Sequence, residues 1–467
     1  MVKNGAGRGR TGLSDLRPTL HRMPNRPRDL PPVDPTVDPA RTDGQKLIEL
    51  ILGSEDWIHR QVERVDIQPT GDTIHHVSVD LTVPAELALT GSRGAVVVPV
   101  TLLQKGPLSC FSAVGPDELP VPLLESSANS RLSAAFLRAL AAATYGYPPA
   151  DEPFEVGLFV EDVVSSDLRR GRQATDRLRQ FLQDRDAGGG SGGGSGVGEA
   201  LVDPVEAAMF FSMVEVFSRC FLMAVELDAA LLDRRCVVKY SYLDTRNDPH
   251  DRPRFEMSWD LQHFGVAGSY HFELLSPQLL EITSLTLTEV TGSEVHRTSA
   301  ELPPDGVSTG HLAVRPRARL STAAVVVGLV PRRYGVVSQS FAVVWLVTAT
   351  FAVILLGRFL RDLWLPGATV APTAAAILSA AGAIVLTWIA RTPEDRIVAA
   401  VLRRPRRHLM GAGALLILAG LYMTVPVPEP GRTAGWSAIL LAAAGVATAA
   451  TVHRRRSRPD RSTSRSG

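Results

Sequence analysis

Only a handful of residues in this chain have the types and spacing to do chemistry, and each has a plainer structural explanation. Gly306-Val-Ser308-Thr-Gly310 fits the G-x-S-x-G form of a serine nucleophile elbow. Such an elbow needs a strand before the serine and a helix after it. This one follows Pro303-Pro-Asp-Gly and leads into a strand pattern, so a tight turn is expected. His75 and His76 are adjacent on another strand pattern, and alternation sends them to opposite faces, which prevents both from holding one metal in regular geometry. Asp260, His263 and His271 make the one conceivable ligand cluster, with the two histidines meeting across a hairpin. Asp244, Asn247, Asp248, His250 and Asp251 form a polar loop of cation-ligand types, although loops of Asp, Asn and Pro are ordinarily turns. Gly188, Gly190 and Gly193 satisfy G-x-G-x-x-G inside a Gly/Ser run that no strand enters, so a flexible linker is expected there and not a phosphate cradle. Cys110, Cys220 and Cys236 include no C-x-x-C pair and read as buried free thiols in a reducing compartment. No catalytic, cofactor-binding or metal-ligating residue is assigned, and no cofactor is expected.

The elements around these residues point to a membrane. The chain is 45% hydrophobic and 21% charged over 467 residues, ordinary for a soluble protein, so its apolar surplus must be concentrated locally. It lies in four stretches almost free of charge: Tyr334–Gly357, Leu363–Ala390, Leu409–Pro428 and Thr433–Val452. A helix needs roughly 20 apolar residues to cross about 30 Å of hydrocarbon. Each stretch meets that length, and none contains Asp, Glu, Lys, Arg or His, the residues that mark ion paths. Small residues at Ala376, Ala380, Gly382 and Ala383, and at Ala438, Ala442, Gly445 and Ala449, suit close helix packing. Trp345, Trp364, Trp388 and Trp436 read as interfacial anchors.

Arginines give the orientation. They cluster before the first stretch (Arg315, Arg317, Arg319, Arg332, Arg333), between the second and third (Arg391, Arg396, Arg403, Arg404, Arg406, Arg407) and after the fourth (Arg454, Arg455, Arg456, Arg458, Arg461, Arg465). The alternate loops hold only Arg358, Arg361 and Arg432. Four spans would place all the basic segments on the cytoplasmic side of an inner membrane, together with both termini. Residues 1–43 carry no signal-peptide core, which agrees. The net charge of +1 speaks against nucleic acid as a partner; the lipid bilayer, anionic headgroups at the basic loops and a protein of unknown identity are the expected ones.

Ahead of the membrane block an α+β soluble region is expected. Residues 1–43 form an Arg/Pro-rich disordered tail, and 44–126 a small β-rich region with a helix at Gln45–Leu52 and strands at Val62–Ile67, Ile74–Val83 and Val96–Leu103. Residues 127–187 are helical, with one helix at Asn129–Thr144 and a second at Val160–Asp186; 188–198 is a Gly/Ser linker. Asp203-Pro204-Val205-Glu206 starts a buried helix, within 199–233, expected to run to about Leu232. Residues 234–331 hold seven strand patterns at the spacing of an Ig-like β-sandwich. Residues 334–452 are the four transmembrane helices and 453–467 a basic cytoplasmic tail.

Arg234-Arg-Cys-Val-Val-Lys-Tyr-Ser-Tyr and Gly268-Ser-Tyr-His-Phe-Glu-Leu, followed by a β-rich segment and C-terminal spans, resemble a group of uncharacterised actinobacterial multi-pass membrane proteins. The resemblance implies the same architecture and brings no chemistry with it. The function expected is a membrane-anchored scaffold or sensor that presents its β-sandwich to a protein partner, without catalysis. A small permease or transporter subunit using the four helices is the alternative, and a hydrolase in the helical insert around residues 129–232 is a third reading.

Overall fold

The computed structural model describes residues 42–145, 155–188, 203–245, 255–332, 336–364, 372–390, 396–428 and 431–456, apart from short loop positions within those ranges. The expected N-terminal tail up to residue 41, nearly all of the Gly/Ser linker and the basic tail beyond residue 456 lie outside the described residues.

The element order is α1 (Asp43–Leu52), α2 (Ser54–Trp57), β1 (Ile58–Ile67), β2 (Thr73–Thr82), β3 (Leu89–Thr90), β4 (Val96–Gln104), β5 (Ser109–Val114), α3 (Ser126–Tyr145), α4 (Glu155–Val164), α5 (Leu168–Gly188), α6 (Pro204–Arg219), β6 (Cys220–Leu227), β7 (Arg235–Asp244), β8 (Phe255–Leu261), β9 (Tyr270–Leu275), β10 (Leu280–Thr291), β11 (Glu294–Ser299), β12 (Thr309–Val314), β13 (Thr322–Pro331), α7 (Val336–Trp364), α8 (Pro372–Ala390), α9 (Arg396–Thr424) and α10 (Gly431–Arg456). The chain is α+β, as its alternating and helical periods require.

Local chemistry starts the helices: α6 begins where its Asp-Pro signal was expected, whereas α1 begins at Asp43, two residues before the expected Gln45 and inside the stretch expected as tail. Thr42 caps α1 in a reciprocal box with Gln45, each side chain meeting the other's backbone N–H. Asp203 caps α6, its carboxylate accepting from Val205 N at 2.9 Å. α1 then lies tight against α3: a Cβ on Gly44 would stand 2.8 Å from Ala139 Cβ, so the crossing requires a residue without one.

The strands form three sheets, ordered β12-β9-β1-β2-β7-β5, β11-β10-β13-β8 and β3-β4-β6. β4 is buried on both faces from Val96 to Leu103, which only an interior strand tolerates. One face of its sheet meets the six-stranded sheet through a shared core containing Val77, Val79, Leu81 and Val238. Against β6 pack α3 and α6. A second core joins Val65, Phe272 and Leu274 of the six-stranded sheet to Met257, Leu285 and Val325 of the four-stranded one.

Three expectations change in this region. The helix from Asp203 ends at Arg219, because Cys220 turns to extended backbone (φ −117°, ψ 157°) and Cys220–Leu227 pairs antiparallel with β4. Those residues are apolar apart from Glu226 and include no breaker, so either conformation suits them locally and the partner strand decides. The helix expected over Val160–Asp186 is two helices, since Asp167 caps α5 by accepting from Arg169 N at 2.8 Å. The strands within 234–331 do not pair only among themselves: β7 and β9 flank the β1–β2 hairpin, with β1 and β9 parallel, so that part of the chain shares a sheet with residues 58–82.

After β13 come four helices. Stretches of α7, α9 and α10 are long and apolar enough to cross a membrane: Ser338–Gly357, Arg403–Thr424 and Gly431–Val452. α8 contributes a shorter apolar run, Thr373–Thr387, among the described residues. The helical period holds, but its phase on α10 differs from expectation. Trp436, Ile439, Ala443 and Ala447 face the α7 and α9 residues Val347, Phe351, Ala412 and Leu416, while Ala438, Ala442, Gly445 and Ala449 are exposed. On α8 the contact is made by Ala375, Ser379 and Gly382, and Ala376, Ala380 and Ala383 face outward. Trp436 is buried against Tyr422 (ring centroids 5.9 Å apart), so it is core and not an anchor; Trp345 is exposed. α9 also begins well before Leu409, carrying Arg403, Arg404, Arg406 and Arg407 on its own helix.

Candidate functional site

The most concentrated polar chemistry in the described residues is buried, on the inner face of the six-stranded sheet where the two soluble cores meet. Alternation sends Gln61 and Glu63 of β1, Thr73 and His75 of β2, Tyr240 of β7 and Tyr270 of β9 to the same face. In register, Gln61 lies opposite Tyr270, Val65 opposite His75, and His75 opposite Tyr242. Glu63 reaches diagonally to both sides. Its Oε1 lies 2.7 Å from His75 Nδ1, and its Oε2 accepts from the Tyr270 hydroxyl at 2.5 Å. His75 Nε2 is 3.2 Å from Thr73 Oγ1, and the His75 ring stacks on Tyr242 at 4.8 Å with 6° between planes.

Burial and charge act on the two phenols of this cluster. Burial, and then the Glu63 carboxylate to which it donates, hold the Tyr270 phenol well above its ordinary range. Burial likewise raises Tyr240. Around the linked groups stand Gln61 Nε2, Thr101 Oγ1 and Tyr240 Oη, buried polar atoms that make no hydrogen bond of acceptable geometry among the described residues.

A carboxylate, a histidine and a hydroxyl in line have the form of a base-activated nucleophile. Here Thr73 is 0% and His75 4% exposed, so no substrate reaches the hydroxyl in this conformation. What the arrangement does is bind three strands together: two charge-assisted hydrogen bonds on Glu63 link β1 to β2 and to β9, across the boundary between the cores.

The sequence-derived candidates fall elsewhere. His75 and His76 do point to opposite faces; His76 is half exposed, 3.6 Å from Asp66. Gly306 sits at φ +83° and donates to Pro303 O at 3.0 Å, and the serine after it leads into β12 with no helix following, which is a turn. His271 meets His311 across β9 and β12, with Nδ1 to Nε2 at 3.3 Å, and burial together with His311 lowers its pKa. His263 lies outside the described residues, as do Asn247, Asp248, His250 and Asp251. Asp260 is on β8, its carboxyl raised by burial. Among the described residues no group of three or more His, Cys, Asp or Glu is placed to hold a metal ion. Cys220 and Cys236 are buried free thiols, whereas Cys110 is exposed, because its strand lies at a sheet edge.

Two groups escaped sequence reasoning. Lys105 is 4% exposed and donates from Nζ to Val163 O at 2.8 Å near the C-terminus of α4; burial pushes it down to about 8. Asp80 takes both oxygens to the Arg235 guanidinium at 2.8 and 2.6 Å, a bond that holds its carboxyl below the ordinary range. Both contacts join residues far apart in the chain, so no local signal announces them. No protein-family model matches the chain, and a comparison with curated proteins finds no match.

Proposed function

We propose that the chain is a non-enzymatic scaffold or sensor, anchored by four transmembrane helices in an inner membrane, which holds its β-rich region at the cytoplasmic surface for a protein partner. The observation that carries this reading is the join between β13 and α7. Only residues 332–335 separate Pro331 from Val336, a reach of at most about 17 Å, so the four-stranded sheet is tied to the start of the first apolar helix.

The outward faces of the helices support the anchor. Leu346 and Val353 on α7, Ile377 and Ile384 on α8, and Leu441 on α10 are each more than 65% exposed, and hydrocarbon is the medium that accommodates them. α8 has 19 residues, about 28 Å at the helical rise, and packs against α9 so closely that a Cβ on Gly382 would come 2.8 Å from Gly413 O. That supports a fourth span at the same depth. An even number of spans then collects the arginines of α9 and those following α10 on one side with the soluble region.

The edge strand β11 suits a partner segment. It pairs on one side only, with β10, and Val295 is 52% exposed. The tests are direct. Reporters fused near Pro366 and at the C-terminus are expected on opposite sides of the membrane, and finding both on one side overturns the four-span arrangement. A photo-crosslinker at Val295 of the full chain in native membranes is expected to trap a discrete protein adduct that the same probe at buried Leu285 does not; equal yields overturn the docking role.

A further inference from the structure

His271 on β9 and His311 on β12 bring two imidazoles together on the outer face of the six-stranded sheet, opposite to the face that carries Glu63. The ladder fixes them there. Phe272 and Leu312 lie across from one another and are buried in the second core, so their neighbours, His271 and Glu273 on β9 and His311 and Ala313 on β12, face outward. His311 pairs with Glu273 and His271 with Ala313, which makes the two histidines diagonal neighbours, within reach of each other's side chains. β9 is held on its far side by β1, while β12 is the last strand of the sheet and His311 is exposed on it, open to solutes.

Nδ1 of His271 stands 3.3 Å from Nε2 of His311. An N–H donor ordinarily sits closer to its acceptor, at about 2.7 to 3.2 Å. Two nitrogens on one tetrahedral ion, with bonds of about 2.0 to 2.1 Å, stand about 3.3 to 3.4 Å apart, so the pair already has the bite of a chelate. Ligation also needs nitrogens free of protons. Burial and the adjacent His311 hold His271 below its ordinary range, which leaves it neutral at physiological pH.

The ligand type selects the ion. Magnesium and calcium take oxygen ligands, whereas zinc, nickel and copper take imidazole. The charges that act on His271 do not decide the matter, since Arg60 opposes a cation, Glu273 favours one, and solvent screens both. We propose that His271 and His311 chelate one divalent transition-metal ion of the zinc class, with solvent in the remaining positions, and that the ion pins the edge strand β12 to β9. The proposal stands apart from the membrane and scaffold readings, because it uses only the two strands.

The full chain, free of any polyhistidine tag, is stripped of metal with a chelator, exchanged into chelator-free buffer with detergent, and titrated calorimetrically at pH 7.5 with zinc chloride or magnesium chloride. The wild type is expected to take one zinc ion at its tightest site and to leave magnesium unbound there. Loss of a group that merely supports a ligand costs about 10- to 100-fold in affinity, so loss of the ligand itself, in His271→Ala or His311→Ala, should cost at least about tenfold. The double variant should lose no more than about twofold beyond the weaker single variant, because one missing arm already destroys a chelate. His76→Ala, which removes a half-exposed histidine elsewhere on the outer face, should stay within about twofold of the wild type. Denaturant midpoints without metal show whether each variant is folded, and either single variant carries the measurement if the other is not. Zinc bound to the double variant as tightly as to the wild type, losses seen only when both histidines are removed, an equal loss in His76→Ala, or competition by magnesium at matched concentration overturns the assignment.

Discussion

Lys105 makes the stability of the soluble region depend on pH in a direction opposite to that of a salt-bridged lysine. Its folded value of about 8 lies below the ordinary 10.5, so between these values the folded chain binds fewer protons than the unfolded chain. Stability therefore carries the full burial penalty below pH 8, rises through the window, and is free of the penalty above about pH 10.5; the span is about 3.5 kcal/mol at roughly 1.4 kcal/mol per unit. Lys105→Met fills similar volume without charge. At pH 7 it removes the penalty but leaves Val163 O without the 2.8 Å donor, a loss of about 1 to 2 kcal/mol, so a net gain of about 1.5 to 2.5 kcal/mol is expected. Near pH 10.5 only the loss remains and the wild type is the more stable of the two. The assay is denaturant unfolding of both full-length proteins in detergent from pH 7 to 10.5, followed by circular dichroism. Groups common to both proteins cancel in the difference. A difference that stays flat across pH 8 to 10.5 refutes a buried, proton-poor Lys105.

Two further substitutions test the polar clasp and the helix bundle. Glu63→Gln retains the shape but replaces an acceptor-only group that serves both His75 and Tyr270, and a loss of about 2 to 3 kcal/mol in denaturant unfolding is expected; a loss under about 0.5 kcal/mol refutes its role in joining the strands. Gly382→Leu drives a side chain into Gly413 O and Ile417 and is expected to destabilise the bundle by about 1 to 3 kcal/mol, whereas Ala442→Leu on the outward face of α10 stays within about 0.5 kcal/mol; thermal unfolding in detergent that ranks them the other way refutes the packing.

Much of this protein is legible without coordinates because its signals are local. The cap at Asp203 satisfies a backbone donor two residues away, and the apolar stretches of α7, α9 and α10 declare themselves by length alone. Alternation separates His75 from His76 by the same local geometry.

What tertiary structure alone decides concerns choices that are nearly equal in energy until a distant partner is present. Cys220–Leu227 becomes a strand because Val96–Gln104 offers an open edge. On α10 small residues occur on more than one face, so the period could be read but the face could not; Trp436 and Ala443 turn inward because Phe351 and Leu416 are there to receive them. Glu63 and Tyr270 meet across 207 positions of sequence, and Lys105 and Val163 across 58. The sequence by itself determined the periods, the caps and the apolar lengths, which arise between near neighbours. The three-sheet pairing and the buried clasp were decided by contacts whose members are strangers in the chain, and no local pattern encodes those.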